Sequence, residues 1–349
     1  MIALVMSVSL PMTTYAANWY LEDGSVTVNA DNSGQTVTQG STSTPDEAPV
    51  ITQRNSSAET SNTITINASE NATANVTISN VNIDTSGAAV STGGKGNVNI
   101  ELDGTNTLKS GRYHAGLEKS QDGKLTITDE NANGKLIATG GQYGAGIGGG
   151  FYEGGKNITI AGGKVTANGG DYGAGIGGGQ EGDGSNITIT GGEVTAAGGT
   201  NGAGIGGGGG ISGKGEKISI SGDAALKVQG GLTDEWDGAG AGIGNGGSHN
   251  GDFLSGTIPV NGAETEPDTS NLTTGKIEYY APGADMTKDE PTNTILGSGQ
   301  PASPGETAAS VEYRMQTSAS EPVQGNGKST GYKAPVQGHF YQVVGQDGK

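Results

Sequence analysis

The sequence predicts an all-β protein: a parallel β-helix (solenoid) of about six coils with a repeat of about 29 residues, followed by an irregular C-terminal tail. Three observations lead there. The heptapeptide GAGIGGG starts at Gly144, Gly173 and Gly202, and a variant, GAGIGNG, starts at Gly240. Between the copies, segments such as NITIAGGKVTANGG alternate apolar with polar residues, the period of strands with one buried face. Glycine supplies 68 of the 349 residues, while aromatics make up 5% and apolar residues 31%. That composition suits small stacked coils better than one large apolar core.

The elements follow in chain order. Residues 2–10 (IALVMSVSL) form an apolar run ahead of Pro11 and Thr14-Tyr15-Ala16-Ala17. We expect a signal peptide over residues 1–17, against the plainer reading of a short apolar strand. Its basic start is missing, because the first Lys or Arg is Arg54, so we expect it to be truncated. Residues 18–60 read as a segment that caps the first coil, with a candidate strand over Gly24–Val28. Residues 61–256 form the repeat domain. Its early coils are degenerate, with Ile64, Ile66, Val76, Ile78, Val81, Ile83, Val98 and Ile100 as inward candidates. In the regular coils the inward set is Ile158, Ile160, Val165, Ala167, Ala174 and Ile176. Residues 257–349, rich in Pro, Ser, Thr, Gln and Glu, read as a linker-like tail with one strand-like patch, Ile277–Tyr280.

The glycine runs invite a nucleotide reading. Gly173 to Gly178 fits the dinucleotide pattern G-x-G-x-x-G, and Gly150 to Lys156 nearly spells a Walker loop. A Rossmann loop occurs once, between a strand and a helix. Here the motif recurs and no helical period follows it. In the near-Walker stretch Asn157 stands where Ser or Thr would hold magnesium. The glycines therefore read as corners, where positive φ and close backbone approach are sterically open only to glycine. No cofactor is expected.

The formal net charge is −18, which repels phosphate backbones and excludes nucleic acid as a partner. Cysteine is absent, which excludes disulfides, thiolate catalysis and Cys-ligated zinc. After residue 17 no stretch is apolar enough for a membrane span.

Candidate binding residues come from the repeat register. Tyr113, Tyr143 and Tyr172 each precede a GAGI-type segment by one position, so in-register coils would stack them as a ladder. Aromatic faces with a polar tip suit sugar rings, although such a ladder also stabilises a sheet with no ligand. Asn201 and Ala239 take the next two positions and end it. The spacing from Gly202 to Gly240 is 38 residues, and most of the excess falls at Leu232–Asp237. Insertions in solenoids form loops on one face. Asp234, Trp236 and Asp237 are its candidate contacts with a sugar or a calcium ion; the alternative is a solvated loop with Trp236 as a cap. Other carboxylates are scattered. Glu153 and Glu181 follow equivalent glycine runs and are the one candidate pair for acid/base chemistry. His114, His249 and His339 lie far apart. No catalytic constellation or metal site can be assembled from these spacings.

The tandem GAGIGGG with ITITGGxVTAxGG between copies, together with ALVMSVSLPMTTYA near the start, resembles glycine-rich β-helical surface proteins of gut Firmicutes, often labelled carbohydrate-binding-domain proteins. The resemblance covers about residues 1–250 and is more specific for architecture than for function. It implies an exported, cell-surface protein in contact with glycans. The function expected is a secreted or surface-held binding or adhesion module for a polysaccharide or host glycan. The alternatives are a β-helix polysaccharide lyase or glycoside hydrolase, and a passive stalk.

Overall fold

The computed structural model describes residues 17–120, 122–211, 213–250 and 258–299. Residues 1–16 of the expected signal peptide, and the tail beyond residue 299, lie outside the described residues.

One regular coil explains how the chain winds. Its strands are Gly155–Ile160, Lys164–Asn168 and Ile176–Gly177. Each pairs parallel with its equivalent one repeat later: Ile158 with Ile187, Val165 with Val194, Ile176 with Ile205. Side chains alternate along a strand, so Ile158, Ile160, Val165 and Ala167 fall inside, and with Ile176 they are fully buried. Stacked coils make three sheets, two of eight strands and one of ten.

The chain is thus a β-solenoid of about seven turns, against the six expected. The added turn comes from the opening segment. There Val26–Asp31 pairs parallel with Ile64–Ala68 without any glycine signature. One buried row runs from end to end through Val26, Ile64, Val90, Leu117, Ile147, Ile176, Ile205 and Ile243. Each such side chain contributes roughly 1.5–3 kcal/mol on burial. No coil holds its own ordering entropy alone, so the stack is stable only as an array.

The glycine row Gly148, Gly177, Gly206 and Gly244 shows what the motif is for. Their φ angles are 136°, 136°, 136° and 144°. A Cβ on Gly148, Gly177 or Gly206 would sit 2.0 Å from the carbonyl oxygen of the next glycine in the row. Both the dihedral and the close approach exclude any side chain.

Both ends are closed. At the start, Gly34–Gln39 and Thr42–Pro45 extend the ten-stranded sheet as antiparallel strands. The outermost strand is exposed and ends in Pro45, a device that discourages edge-to-edge pairing. Trp19 Nε1 donates to the buried Asp46 carboxylate at 2.9 Å and ties this cap down.

At the other end the structure departs from the sequence reading, which has the repeat stop near residue 256. Lys276–Tyr280 pairs parallel with Ala225–Gln229 and adds a strand to a solenoid face, with Ile277 fully buried. Asn293–Leu296 then pairs antiparallel and finishes that sheet. On the ten-stranded sheet, Glu264 accepts the N–H groups of Gly242 and Ile243 at 2.7 and 3.0 Å. Its carboxylate supplies acceptors where a further coil would have placed carbonyls. Residues 258–299 therefore build a cap where the sequence reading placed a linker.

Candidate functional site

The in-register corner that precedes each GAGI segment carries the aromatic ladder. Tyr113 and Tyr143 stack with ring centroids 5.7 Å apart and planes 23° from parallel; Tyr143 and Tyr172 are 6.1 Å apart at 31°. The register causes this, because the three residues stand on consecutive coils. A second column lies beside it. The N–H groups of Phe151, Gln180 and Gly209 donate to the carbonyls of Tyr113, Tyr143 and Tyr172. Phe151 therefore packs against both Tyr143, at 5.2 Å, and Tyr113, at 5.4 Å. Tyr152 stacks outside Phe151 at 3.8 Å. Arg112 lies over the rings of Tyr113 and Tyr143 and donates to the Tyr143 hydroxyl at 3.0 Å. Tyr113 is 47% exposed and Tyr152 60%, so aromatic faces remain open to solvent.

The ladder ends at the insertion, and Asn201 connects the two. Asn201 occupies the next rung with φ 64°, close to the 65° of Tyr172; asparagine tolerates this left-handed conformation better than most residues. Its buried Nδ2 donates to the carbonyls of Asp237 and Gly238 at 2.9 and 2.8 Å. The residue that interrupts the ladder thus anchors the loop. Asp234 organises that loop from within. Its Oδ1 accepts the N–H groups of Trp236 and Asp237, and its Oδ2 accepts the Tyr172 hydroxyl at 3.1 Å. Burial, then the charge of Asp234, pushes the Tyr172 hydroxyl up to about 12, so it stays a donor at neutral pH.

Trp236, 44% exposed, lines a cleft of about 330 Å³ together with Tyr172, Gln180, Glu181, Asp237 and His249. Asp237 is buried, and its Oδ1 meets His249 Nδ1 at 2.6 Å. The structure thus joins Tyr172, Asp234, Trp236 and Asp237 at one site and leaves Tyr113 and Tyr143 on the strip leading to it. It also assigns the two aspartates differently from the sequence reading. Asp234 holds the loop, and Asp237 faces a histidine.

The remaining candidates separate. Glu181 stands one repeat after Tyr152, and its N–H donates to Gly209. Glu153 stands one repeat before Gly182, whose Cβ would clash with the Glu153 carbonyl. The two glutamates are offset by one residue and form no in-register pair. Instead Glu153 lies near Glu118, which binds His114 Nδ1 at 2.9 Å. Burial and then the Glu118 charge raise the Glu153 carboxyl above its ordinary range. Sequence reasoning missed Lys119, which lies buried beside a second cleft of about 270 Å³ with Glu153 and Lys156. It also missed Arg112, Phe151, Tyr152 and the partner of His249. The 29-residue alignment of Phe151 with Gln180 and Gly209 was the available signal for the second column.

Among the described residues no group of three acidic, imidazole or thiol side chains has the arrangement to hold a metal ion, and no helix is long and apolar enough to cross a membrane. Comparison with family models, curated proteins and solved structures gives no significant match.

Proposed function

We propose that this chain is an exported surface module that binds glycans along the aromatic corner of its solenoid. One observation carries the reading: partly exposed rings from consecutive coils line up and lead to a cleft lined by Trp236. Stacked aromatic faces suit the apolar faces of sugar rings, and a row of them offers repeated weak contacts. A polymer would gain affinity by engaging several at once. The net charge of −18 opposes acidic polysaccharides. The apolar run near the start and the resemblance to glycine-rich surface proteins support export and surface display.

A glycan array probed with the full chain, followed by titration with oligosaccharides of increasing length, tests this. Affinity that rises with length and falls in Tyr143→Ala supports the reading; no binding across the array rejects it. The His249–Asp237 pair beside Glu181 favours hydrolysis or elimination as the second reading. Release of reducing ends from bound glycans, lost in His249→Gln, would place that reading first.

A further inference from the structure

We propose that the cleft lined by Trp236 takes a protonated primary amine carried by the bound sugar chain, so that the preferred glycan is an amino sugar with its nitrogen free. This rests on the glycan reading and names the ligand class for one end of the surface.

The walls of the cleft carry the argument. Two lining residues are aromatic, Trp236 and Tyr172, and two are acidic, Glu181 and Asp237; the lining holds no Lys or Arg, and its histidine, His249, is turned to Asp237. Behind Tyr172 stands a third carboxylate, Asp234. An organic ammonium is the ligand that both wall types attract: the ring quadrupole draws it to the face, and the carboxylates supply the opposite charge. The other cleft, by contrast, includes Lys119 and Lys156, which would repel it.

Glu181 is the residue positioned for the contact. Asp234 is committed to two backbone N–H groups and the Tyr172 hydroxyl, and Asp237 to His249. The Glu181 carboxylate accepts no hydrogen bond from the described residues, and its stem lies over Gly210. It also keeps its side chain at φ 57°, where glycine follows one repeat later. The neutral amide of Gln180 beside it can accept a second ammonium hydrogen or hydroxyl contacts from the ring.

The test uses the full chain and three hexasaccharides at pH 6: β-1,4-linked glucosamine, its fully N-acetylated counterpart, and the plain glucan. Calorimetry should show the free-amine hexamer binding about tenfold or more tightly than either neutral one at low salt. That advantage should vanish in Glu181→Gln and shrink at high salt. Glu216→Gln, which removes the same charge from an exposed position outside the cleft lining, should preserve it. Equal affinity for all three overturns the amine proposal and leaves the glycan reading standing. Binding of none overturns both. An amine preference that Glu216→Gln reduces as much as Glu181→Gln does is attraction to overall charge, and overturns the assignment to the cleft.

Discussion

Tyr172 and Asp234 lie 62 residues apart and meet through one hydrogen bond of 3.1 Å, which ties the last rung of the ladder to the Trp236 loop. Tyr172→Phe keeps the ring and removes the tie. We expect a loss of roughly 1.5–3 kcal/mol in stability, typical of one hydrogen bond to a charged group. Local hydrogen exchange over residues 232–238 should accelerate while the coils stay protected. Unchanged exchange there would show that Asn201 alone holds the loop.

The buried isoleucine row makes a sharper test of the array. Ile176 is fully buried between Ile147 and Ile205. Ile176→Val should cost about 0.5–1.5 kcal/mol. Ile176→Asp buries a charge without a partner and should unfold neighbouring coils together. A soluble aspartate variant with an unchanged melting curve contradicts the stacking.

Glycine supplies a paired comparison. Gly177→Ala meets both φ 136° and a carbonyl oxygen 2.0 Å away. The combined cost should be roughly 2–6 kcal/mol, adding backbone strain to overpacking. Gly87→Ala meets no atom within 4 Å, and its effect should stay within about 0.5 kcal/mol. Chemical denaturation of the two variants measures the difference.

Lys119 gives the fold a pH dependence. Burial pulls its ammonium down to about 8, against the opposing charge of Asp122. Below about 8 folded and unfolded chains both carry the proton, and the desolvation cost is present in full. Between about 8 and the ordinary lysine value near 10.4, only the unfolded chain keeps it, so this contribution to stability rises with pH. Lys119→Met should therefore raise stability at pH 7, by roughly 1–3 kcal/mol as the linkage worth of such a shift reduced for incomplete burial, with the gap closing towards pH 10. A melting series across that range decides it.

Much of this was legible in the sequence because a solenoid repeats its instructions. The recurring GAGI-type motif, rather than any fixed count, put Ile147, Ile176, Ile205 and Ile243 in one row, and Tyr113, Tyr143 and Tyr172 in another. What repeats once or not at all was hidden. Ile277–Tyr280 read as a strand-like patch, but it has no glycine signature to place it in the same sheet, and it pairs only after a connection unlike the earlier coils. Asn201 looked like the loss of a tyrosine; its role in holding Asp237 and Gly238 depends on a fold-back that spacing does not encode. The expected pairing of Glu153 with Glu181 failed because both were counted from the glycine runs. Counting by the repeat places Glu181 over Tyr152. Buried Lys119 ran against the ordinary rule that lysine faces water.

The closed ends have an evolutionary reading. Pro45 on one outer strand and Glu264 on the opposite end stop the stack from growing by addition at its tips. The coils between them meet through repeated, near-identical surfaces. Gene duplication can therefore lengthen this molecule only from within, by copying an interior 29-residue unit such as residues 155–183. Each tyrosine-bearing copy would extend the aromatic strip by one rung and leave both caps and the Trp236 loop intact. Repeat number then becomes a heritable setting for the length of the aromatic strip.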